Sequence, residues 1–294
     1  MYLICREKDF MSLTLFMYHR VLPRSCSGAI TPESFERQLD YIVAHYRMLR
    51  AEEVAGYITG ELRRDGDCAA LSFDDAWVDN AIYATPILKR RYLSALLAVS
   101  AGCMHDGSVR SAESDSVLYR SMSEAQAAAR AGDASSYMNR AELAAMQDSG
   151  CWQLEVHGSR HELGDGGASI LSYPQNGMDV SAFRKFLAAD LAHARTELEK
   201  LTGRNHRMFF WPWGHYSTPA VETARACGFD LQFTVAKGVI LNGDDRPVLP
   251  RLGVPPRWNK FVRNCTVFRH PLLAAGHGCF HRLKVCFDDR LGSA

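Results

Sequence analysis

The sequence predicts an α/β protein with a mostly parallel sheet and helices packed outside it. Apolar strand-like runs alternate with amphipathic helical segments along most of the 294 residues. The composition, with 47% hydrophobic and 23% charged residues, is that of a globular chain with a large core. Polar motifs follow directly after several predicted strands, which is where such folds place reactive residues.

The predicted strands are short, apolar and bounded by turn or motif residues. They span residues 13–18, 69–73, 92–99, 152–156, 208–211 and 231–235, with a late strand across 248–254. The first helix follows the sequence Thr31-Pro32-Glu33, which supplies a cap, a proline at the first helical position and an acid in the first turn. Apolar periodicity predicts further helices over 142–148, 183–201 and 219–227.

Residues 103–139 interrupt this alternation. They are rich in Ser, Ala, Asp and Gly, and only 121–130 has a helical pattern. Because the segment follows a strand, it is expected on the catalytic face as a lid or an oligomer arm, and a disordered loop is the alternative. We therefore predict a single domain over 1–294, with a core at 13–258, this insertion, and a C-terminal tail at 259–294.

Charge and cysteine content exclude several classes of protein. The 34 basic and 33 acidic residues leave a net charge of +1, which does not favour nucleic-acid binding. Nine cysteines without a Cys-x-x-Cys pair favour a reducing compartment. No apolar run is long enough for a membrane span or an export signal, so a cytoplasmic location is expected, with Met1 or Met11 as the start.

The first polar motif is the adjacent pair Asp74 and Asp75 at the end of a buried strand. Two carboxylates in such a place are costly unless a positive charge compensates them. Because side chains alternate along a strand, the two are expected to point in different directions and to do different jobs. Helix capping is the structural alternative for such a pair.

The second motif contains two histidines four positions apart, His157 and His161. This spacing brings two imidazoles to one side of a turn, as metal chelation requires, although two surface histidines would give the same pattern. With Asp75 they form a two-His, one-carboxylate set, which leaves coordination positions open for water and substrate. The third motif, residues 209–214 (Phe-Phe-Trp-Pro-Trp-Gly), offers aromatic rings to a sugar face or simply forms a core strand and turn.

Together and in this order, the motifs resemble those of the NodB-type polysaccharide deacetylases, carbohydrate esterase family 4. The family's Thr-Phe-Asp-Asp-Gly appears as residues 72–76 (Ser-Phe-Asp-Asp-Ala), and its His-Ser/Thr-x-x-His as 157–161 (His-Gly-Ser-Arg-His). Its Arg-x-Pro-Tyr-Gly appears as 210–214 (Phe-Trp-Pro-Trp-Gly). The Met-Tyr-His-Arg-Val at 17–21, with the segment 31–39 after it, is similar to the poly-N-acetylglucosamine deacetylase branch.

The resemblance implies a distorted (β/α) barrel and metal-dependent removal of an acyl group from an N-acylated sugar. It assigns a divalent metal to Asp75, His157 and His161, with Zn²⁺ favoured over Co²⁺, Ni²⁺ or Mn²⁺. By position, Asp74 is the general base and His19 the general acid. The backbone N–H of Trp213 is expected to stabilise the oxyanion, and Trp213, Trp211, Tyr216 and Trp77 are the candidate substrate-binding residues.

This chain departs from the family pattern in four places. Ala76 replaces a glycine, so the turn after Asp75 is expected not to require positive φ. Gly158 replaces Ser/Thr, and no late Leu-x-x-His motif is evident, since the histidines at 270, 277 and 281 do not align. Phe210 replaces the arginine that orients the base. Arg251, alone in an apolar run, is expected to replace that arginine, or else to reach solvent at a strand end.

The function expected from these observations is removal of an acetyl or formyl group from an amino sugar, or from its nucleotide- or lipid-linked form, in surface glycan biosynthesis. An inactive sugar-binding module and an O-acetyl esterase are the alternatives. The substrate would be a glycan or a small molecule, with no nucleic acid, no stable membrane insertion, and oligomerisation possible through residues 103–139.

Overall fold

The computed structural model describes residues 12–24, 28–111, 119–164, 166–175 and 177–269. The strands are β1 (Ser12–Tyr18), β2 (Arg20–Val21), β3 (Ala29–Ile30), β4 (Arg47–Met48), β5 (Cys68–Phe73), β6 (Ala95–Val99), β7 (Trp152–Val156), β8 (Met208–Phe210), β9 (Leu231–Phe233), β10 (Ile240–Leu241) and β11 (Leu252–Gly253). The helices are α1 (Pro32–His45), α2 (Glu53–Thr59), α3 (Thr85–Arg90), α4 (Met122–Arg130), α5 (Arg140–Asp148), α6 (Val180–Thr202), α7 (Thr218–Ala226) and α8 (Trp258–Arg269).

The main sheet is a curled, mostly parallel array in the order β10-β1-β5-β6-β7-β8-β9. Among the strands of the described residues, β10 is the one that pairs antiparallel within this sheet. After β9, Leu249 forms a parallel bridge with Phe233, and β11 then pairs with β1. This late segment connects the two sides of the sheet, so the α/β fold with a distorted (β/α) barrel predicted from the sequence is confirmed.

Alternate residues of the strands enter two separate apolar clusters. Leu15, Ala70 and Leu96 belong to a cluster shared among β-strands and α2, whereas their neighbours, such as Leu71 and Leu97, pack with α1 and α6. Period-two alternation with both faces apolar is expected for parallel strands covered by helices. The alternation matters for function because it determines which residue beyond each strand end points into the barrel.

Two predicted strands are shorter than their apolar runs. The run at 92–99 becomes a strand only at Ala95, because Tyr92 (φ +54°) still belongs to the turn that ends α3, and the N–H of Leu93 bonds to the carbonyl of Leu88. The run at 248–254 pairs as a strand only at Leu252–Gly253. Local hydrophobicity cannot show where a helix stops turning, and this explains the first difference.

The described part of the insertion lies against the catalytic face. Helix α4 begins with a capping box between Ser121 and Glu124. The side-chain amide of Gln126 lies 3.5 Å from Nδ1 of His161, and the carbonyl of Arg120 accepts a hydrogen bond from Arg20. The described part of the insertion therefore contacts the predicted site residue His161 through Gln126, while its roles as a lid or an oligomer arm stay predictions.

The sequence also led to expectations about membrane-spanning helices, cysteines and the chain termini. In the described residues no helix combines the length and apolarity needed to cross a membrane. The described cysteines, Cys68, Cys103, Cys151, Cys227 and Cys265, are free thiols. Met1, Met11 and the histidines at 270, 277 and 281 lie outside the described residues.

Candidate active site

Asp74 and Asp75 follow β5 and point to different partners, as the alternation of a strand predicts. Asp74 continues the inward row of Ala70 and Ser72 and meets Arg251. Asp75 instead meets His157 and His161. Both carboxylates are almost fully buried, at 2% and 3% exposure, so each needs a compensating partner. The two neighbours therefore occupy two different electrostatic environments.

The structure brings the three predicted metal ligands together. Oδ1 of Asp75 lies 3.3 Å from Nε2 of His157 and 3.2 Å from Nε2 of His161. One ligand atom from each residue lies within 4.8 Å of the others. Four ligands about 2.0–2.1 Å from a tetrahedral zinc ion would be roughly 3.3 Å apart. The donor set and its spacing therefore fit a divalent metal.

A hydrogen bond sets the tautomer of His157, and burial keeps His161 neutral. Nδ1 of His157 lies 2.7 Å from the carbonyl oxygen of Phe210. It must carry the proton there, since a carbonyl only accepts, and Nε2 is left free to bind a metal. Burial lowers the pKa of His161 to about 4, so its ring is neutral at neutral pH. Burial also lowers the pKa of His157, but the carboxylates of Asp75 and Asp74 outweigh it and raise that pKa.

Arg251 forms a two-pronged ion pair with Asp74. Its NH1 donates to Oδ1 at 2.6 Å and its NH2 to Oδ2 at 2.8 Å. The guanidinium is fully buried, lies 4.8 Å from the ring centre of Phe210, and donates through Nε to the carbonyl of Thr234. Burial raises the pKa of Asp74, but the charge and hydrogen bonds of Arg251 outweigh it and hold that pKa below its ordinary value. The contact expected from the sequence is thus present, and Asp74 is ionised.

Replacing Arg251 by lysine is expected to lower turnover about 10-fold while leaving metal content unchanged. A lysine keeps the charge but cannot donate two parallel hydrogen bonds, so the Asp74 carboxylate loses its fixed orientation. Turnover and metal per chain should be measured on the same preparation. Arg207→Lys is the matched control, because Arg207 makes a similar fork to Asp230 at an exposed site. Wild-type turnover in Arg251→Lys would contradict the positioning role.

His19 lies at the rim of the same site, directly after β1. Its Nε2 is 4.0 Å from Oδ2 of Asp74, and its side chain is 30% exposed. Its backbone carbonyl accepts a hydrogen bond from Asn80, which fixes the chain at this point. The ring is therefore close to the Asp74 carboxylate and partly exposed, which are two requirements for the general acid predicted from the sequence.

The turn after Asp75 differs from the sequence-based expectation. Ala76 has φ +60° and Asp75 has φ +74°, so the turn does require positive φ and the expectation was wrong. Alanine is tolerated because neighbouring backbone bonds hold the turn. The N–H of Asp74 bonds to the carbonyl of Tyr18, and the N–H of Met138 bonds to the carbonyl of Ala76. Such strain concentrates at functional sites.

Asp190 on α6 supports the loop that carries the two histidines. Its carboxylate accepts hydrogen bonds from the backbone N–H groups of Ser159 (2.7 Å) and Arg160 (3.0 Å). Gly158 has φ +84°, so Ser or Thr there would be strained, and a Cβ would lie 2.6 Å from Cδ1 of Leu171, which would have to move. Burial raises the pKa of Asp190 to about 6, although the two backbone N–H groups lower it. A helix carboxylate thus replaces the missing hydroxyl.

The four candidate substrate-binding residues separate into two pairs. Trp213 is half-buried and its ring lies 3.9 Å from that of His161, while Tyr216 is 38% exposed. Trp211 and Trp77 are fully buried, so neither can contact a sugar, and the prediction is wrong for these two. The indole N–H of Trp211 donates to Gln232 in the core, and that of Trp77 donates to Asp75.

Two supporting residues were missed by the sequence analysis. Asp190 had a visible signal, because a carboxylate on the apolar stripe of Phe183, Leu187 and Leu191 must have a buried partner. Arg20 had none, since its partner Asp79 is 59 residues away.

Comparison with known proteins agrees with this geometry. The sequence model of the polysaccharide deacetylase family matches residues 62–231, which include Asp74, Asp75 and both histidines. No curated protein sequence matches the chain significantly.

Solved structures share the fold at low sequence identity. IcaB from Ammonifex degensii is 23% identical with a TM-score of 0.69, over 88% of this chain and 97% of that one. The Streptococcus pyogenes deacetylase PplD, solved with acetate, is 18% identical with a TM-score of 0.66, over 90% and 100%. The BpsB deacetylase domain from Bordetella bronchiseptica is 17% identical with a TM-score of 0.64, over 84% and 97%. At these identities the likeness establishes the fold.

Proposed function

The chain belongs to the polysaccharide deacetylase family, and on this basis we propose that it is a metal-dependent hydrolase that removes an N-acyl group from an amino sugar. The observation that carries the proposal is that two adjacent carboxylates at the end of one strand have different partners. Oδ1 of Asp75 lies 3.2–3.3 Å from two histidine Nε2 atoms. The neighbouring Asp74 accepts two hydrogen bonds from Arg251. The proposed metal ligand and the proposed base are thus adjacent in the chain but are hydrogen-bonded or paired to different partners.

Each polar group has a defined task in amide hydrolysis. A divalent metal at Asp75, His157 and His161 would polarise the acyl oxygen and acidify the attacking water. Asp74, kept ionised and aimed by Arg251, accepts the proton of that water. His19 donates a proton to the departing amine, which is a poor leaving group unless protonated. The backbone N–H of Trp213 is proposed to help bind the developing oxyanion.

We propose that the sugar binds against the two candidate aromatic rings that are not fully buried, Trp213 and Tyr216. The ring of Trp213 lies 3.9 Å from that of His161, and Tyr216 is 38% exposed, so both can offer apolar faces to a pyranose ring. We propose an acetyl or formyl substituent on an amino sugar that is polymeric, nucleotide-linked or lipid-linked, as part of surface glycan biosynthesis. Zn²⁺ is the favoured metal for two imidazoles and a carboxylate, with Co²⁺, Ni²⁺ and Mn²⁺ to be compared.

The test is release of acetate or formate from a panel of N-acylated sugars by chelated and by metal-reloaded protein. The panel should contain oligosaccharides, nucleotide sugars and lipid-linked sugars, with O-acetylated sugars as the comparison. Activity that requires metal and favours N-acyl sugars supports the proposal. Binding of sugars without any release would instead favour a non-catalytic module, and release from O-acetyl sugars alone would favour an esterase.

Replacing His19 by alanine is expected to lower amide hydrolysis about 100-fold or more, with little effect on an ester that has a good leaving group. Only the amide needs its leaving group protonated, so only the amide reaction depends on a general acid. The two rates should be measured on one preparation, for example with an N-acetylated sugar and an aryl acetate. Equal losses on both substrates would contradict the assignment.

A further inference from the structure

Trp77 contacts the metal ligand Asp75 and not the substrate space. Its indole Nε1 donates a 2.9 Å hydrogen bond to Oδ2 of Asp75. Oδ1 of the same carboxylate is the atom that faces the two histidines. The two oxygens of Asp75 therefore have separate partners, a tryptophan on one side and the candidate metal position on the other.

Two groups pack against the indole ring of Trp77. The guanidinium of Arg20 lies 4.5 Å from the ring centre, and the ring of Tyr137 stacks at 4.7 Å and 24°. Arg20 is in turn fixed by Asp79, through a 2.8 Å bond from Nε, and by the carbonyl of Arg120 at 2.6 Å. Trp77 and Arg20 are almost completely buried. A cation on an aromatic face and a stacked ring both restrict the rotation of the indole.

The backbone around Trp77 is held by the end of the insertion. Trp77 and Tyr137 form an antiparallel bridge, the N–H of Val78 bonds to the carbonyl of Ser136, and the N–H of Met138 bonds to that of Ala76. These bonds hold the turn in which Asp75 and Ala76 have positive φ. The insertion thus fixes both the turn that carries Asp75 and the indole that touches it.

We propose that Trp77 is a positioning residue that keeps Asp75 a one-oxygen metal ligand. This inference rests on the proposed function, because it takes Asp75 as a ligand. An indole N–H can only donate, so it occupies Oδ2 and leaves Oδ1 directed at the histidines. Without this bond the carboxylate can rotate and present both oxygens, which removes a coordination position needed by water or substrate. Mutation of a residue that is hydrogen-bonded to a metal ligand typically lowers metal affinity about 10- to 100-fold.

The experiment measures Zn²⁺ affinity of Trp77→Phe by competition with a chromophoric chelator, together with the visible spectrum of the Co²⁺-loaded protein. We expect a roughly 10- to 100-fold weaker Zn²⁺ affinity and a Co²⁺ spectrum altered by the changed coordination. Trp211→Phe is the matched control, because it also removes a fully buried indole N–H bond, to Gln232, but does not touch Asp75. It should bind Zn²⁺ within about 3-fold of the wild type, since no metal ligand loses its partner.

The outcomes separate this proposal from the proposed function. If the wild type itself binds no stoichiometric Zn²⁺, the metal-dependent function fails. If the wild type binds Zn²⁺ and Trp77→Phe binds it equally well with the same Co²⁺ spectrum, only the positioning role of Trp77 is overturned. If Trp77→Phe does not fold by circular dichroism, benzothienylalanine at position 77 keeps the ring shape without the N–H, and the same two readouts decide.

Discussion

Replacing Asp74 by asparagine is expected to lower turnover at least about 100-fold while leaving one metal per chain. The carboxamide has nearly the shape of the carboxylate but cannot accept a proton from water. The carboxamide also directs its NH₂ group at one of the N–H donors of Arg251. In the wild type both Asp74 oxygens accept hydrogen bonds from Arg251, at 2.6 and 2.8 Å. Because Asp75 and the histidines are untouched, the metal site should stay intact.

The measurement is single-turnover acyl release alongside elemental analysis of the same sample. An Asp74→Glu variant is a useful second case, since it keeps the proton acceptor but displaces it by one methylene. It should retain more activity than asparagine and less than the wild type. Near-wild-type turnover in Asp74→Asn would show that another group is the base, and loss of metal would show that Asp74 is itself a ligand.

Replacing His157 by alanine is expected to strip the metal and with it all measurable acyl release. Nε2 of His157 is one of the three proposed ligand atoms, and Nδ1 of the same ring lies 2.7 Å from the carbonyl oxygen of Phe210. Removing one of three protein ligands leaves a two-ligand site, which cannot compete with buffer and chelators for the ion. Metal content after dialysis should fall from about one to near zero ions per chain, while circular dichroism stays native.

His206→Gln provides the control for loss of a buried imidazole. His206 is fully buried and bonds to Thr202 and Glu155, away from Asp75. This variant should keep one metal ion per chain. Stoichiometric metal in His157→Ala would contradict the assigned ligand set, and loss of metal in both variants would point to a general effect on folding.

The parts of the site that could be predicted from the sequence are those with a local signal. Asp74, Asp75, His157 and His161 stand directly after apolar strands, and the carboxyl ends of parallel strands meet at one edge of the sheet. Arg251 could be found because a lone charge in an apolar run needs a partner if it is buried. The fold class could be predicted for the same reason, because the alternation of strand and helix is a local pattern in the sequence.

The missed features depend on contacts between distant segments. The burial of Trp77 is decided by Arg20 and Tyr137, each about 60 positions away in the chain, as the bridge from 77 to 137 shows. The positive φ of Ala76 depends on Met138, which holds the turn through its backbone. A short motif carries no information about such distant partners. The sequence therefore indicated aromatic residues near the site but could not show whether each faces the substrate or the core.

The ion pair between Asp74 and Arg251 also bears on how the chain acquires its activity during synthesis. The two residues are 177 positions apart, and the segment with Arg251 is the one that joins the last part of the sheet to β1. Burying Asp74 without its partner would cost about 3–5 kcal/mol. Chains fold from the N-terminus during synthesis. We therefore expect Asp74, at the end of β5, to stay exposed to water until Arg251 has been synthesised. The proposed active site is therefore complete only when the late segment with Arg251 has paired with β1 and reached Asp74.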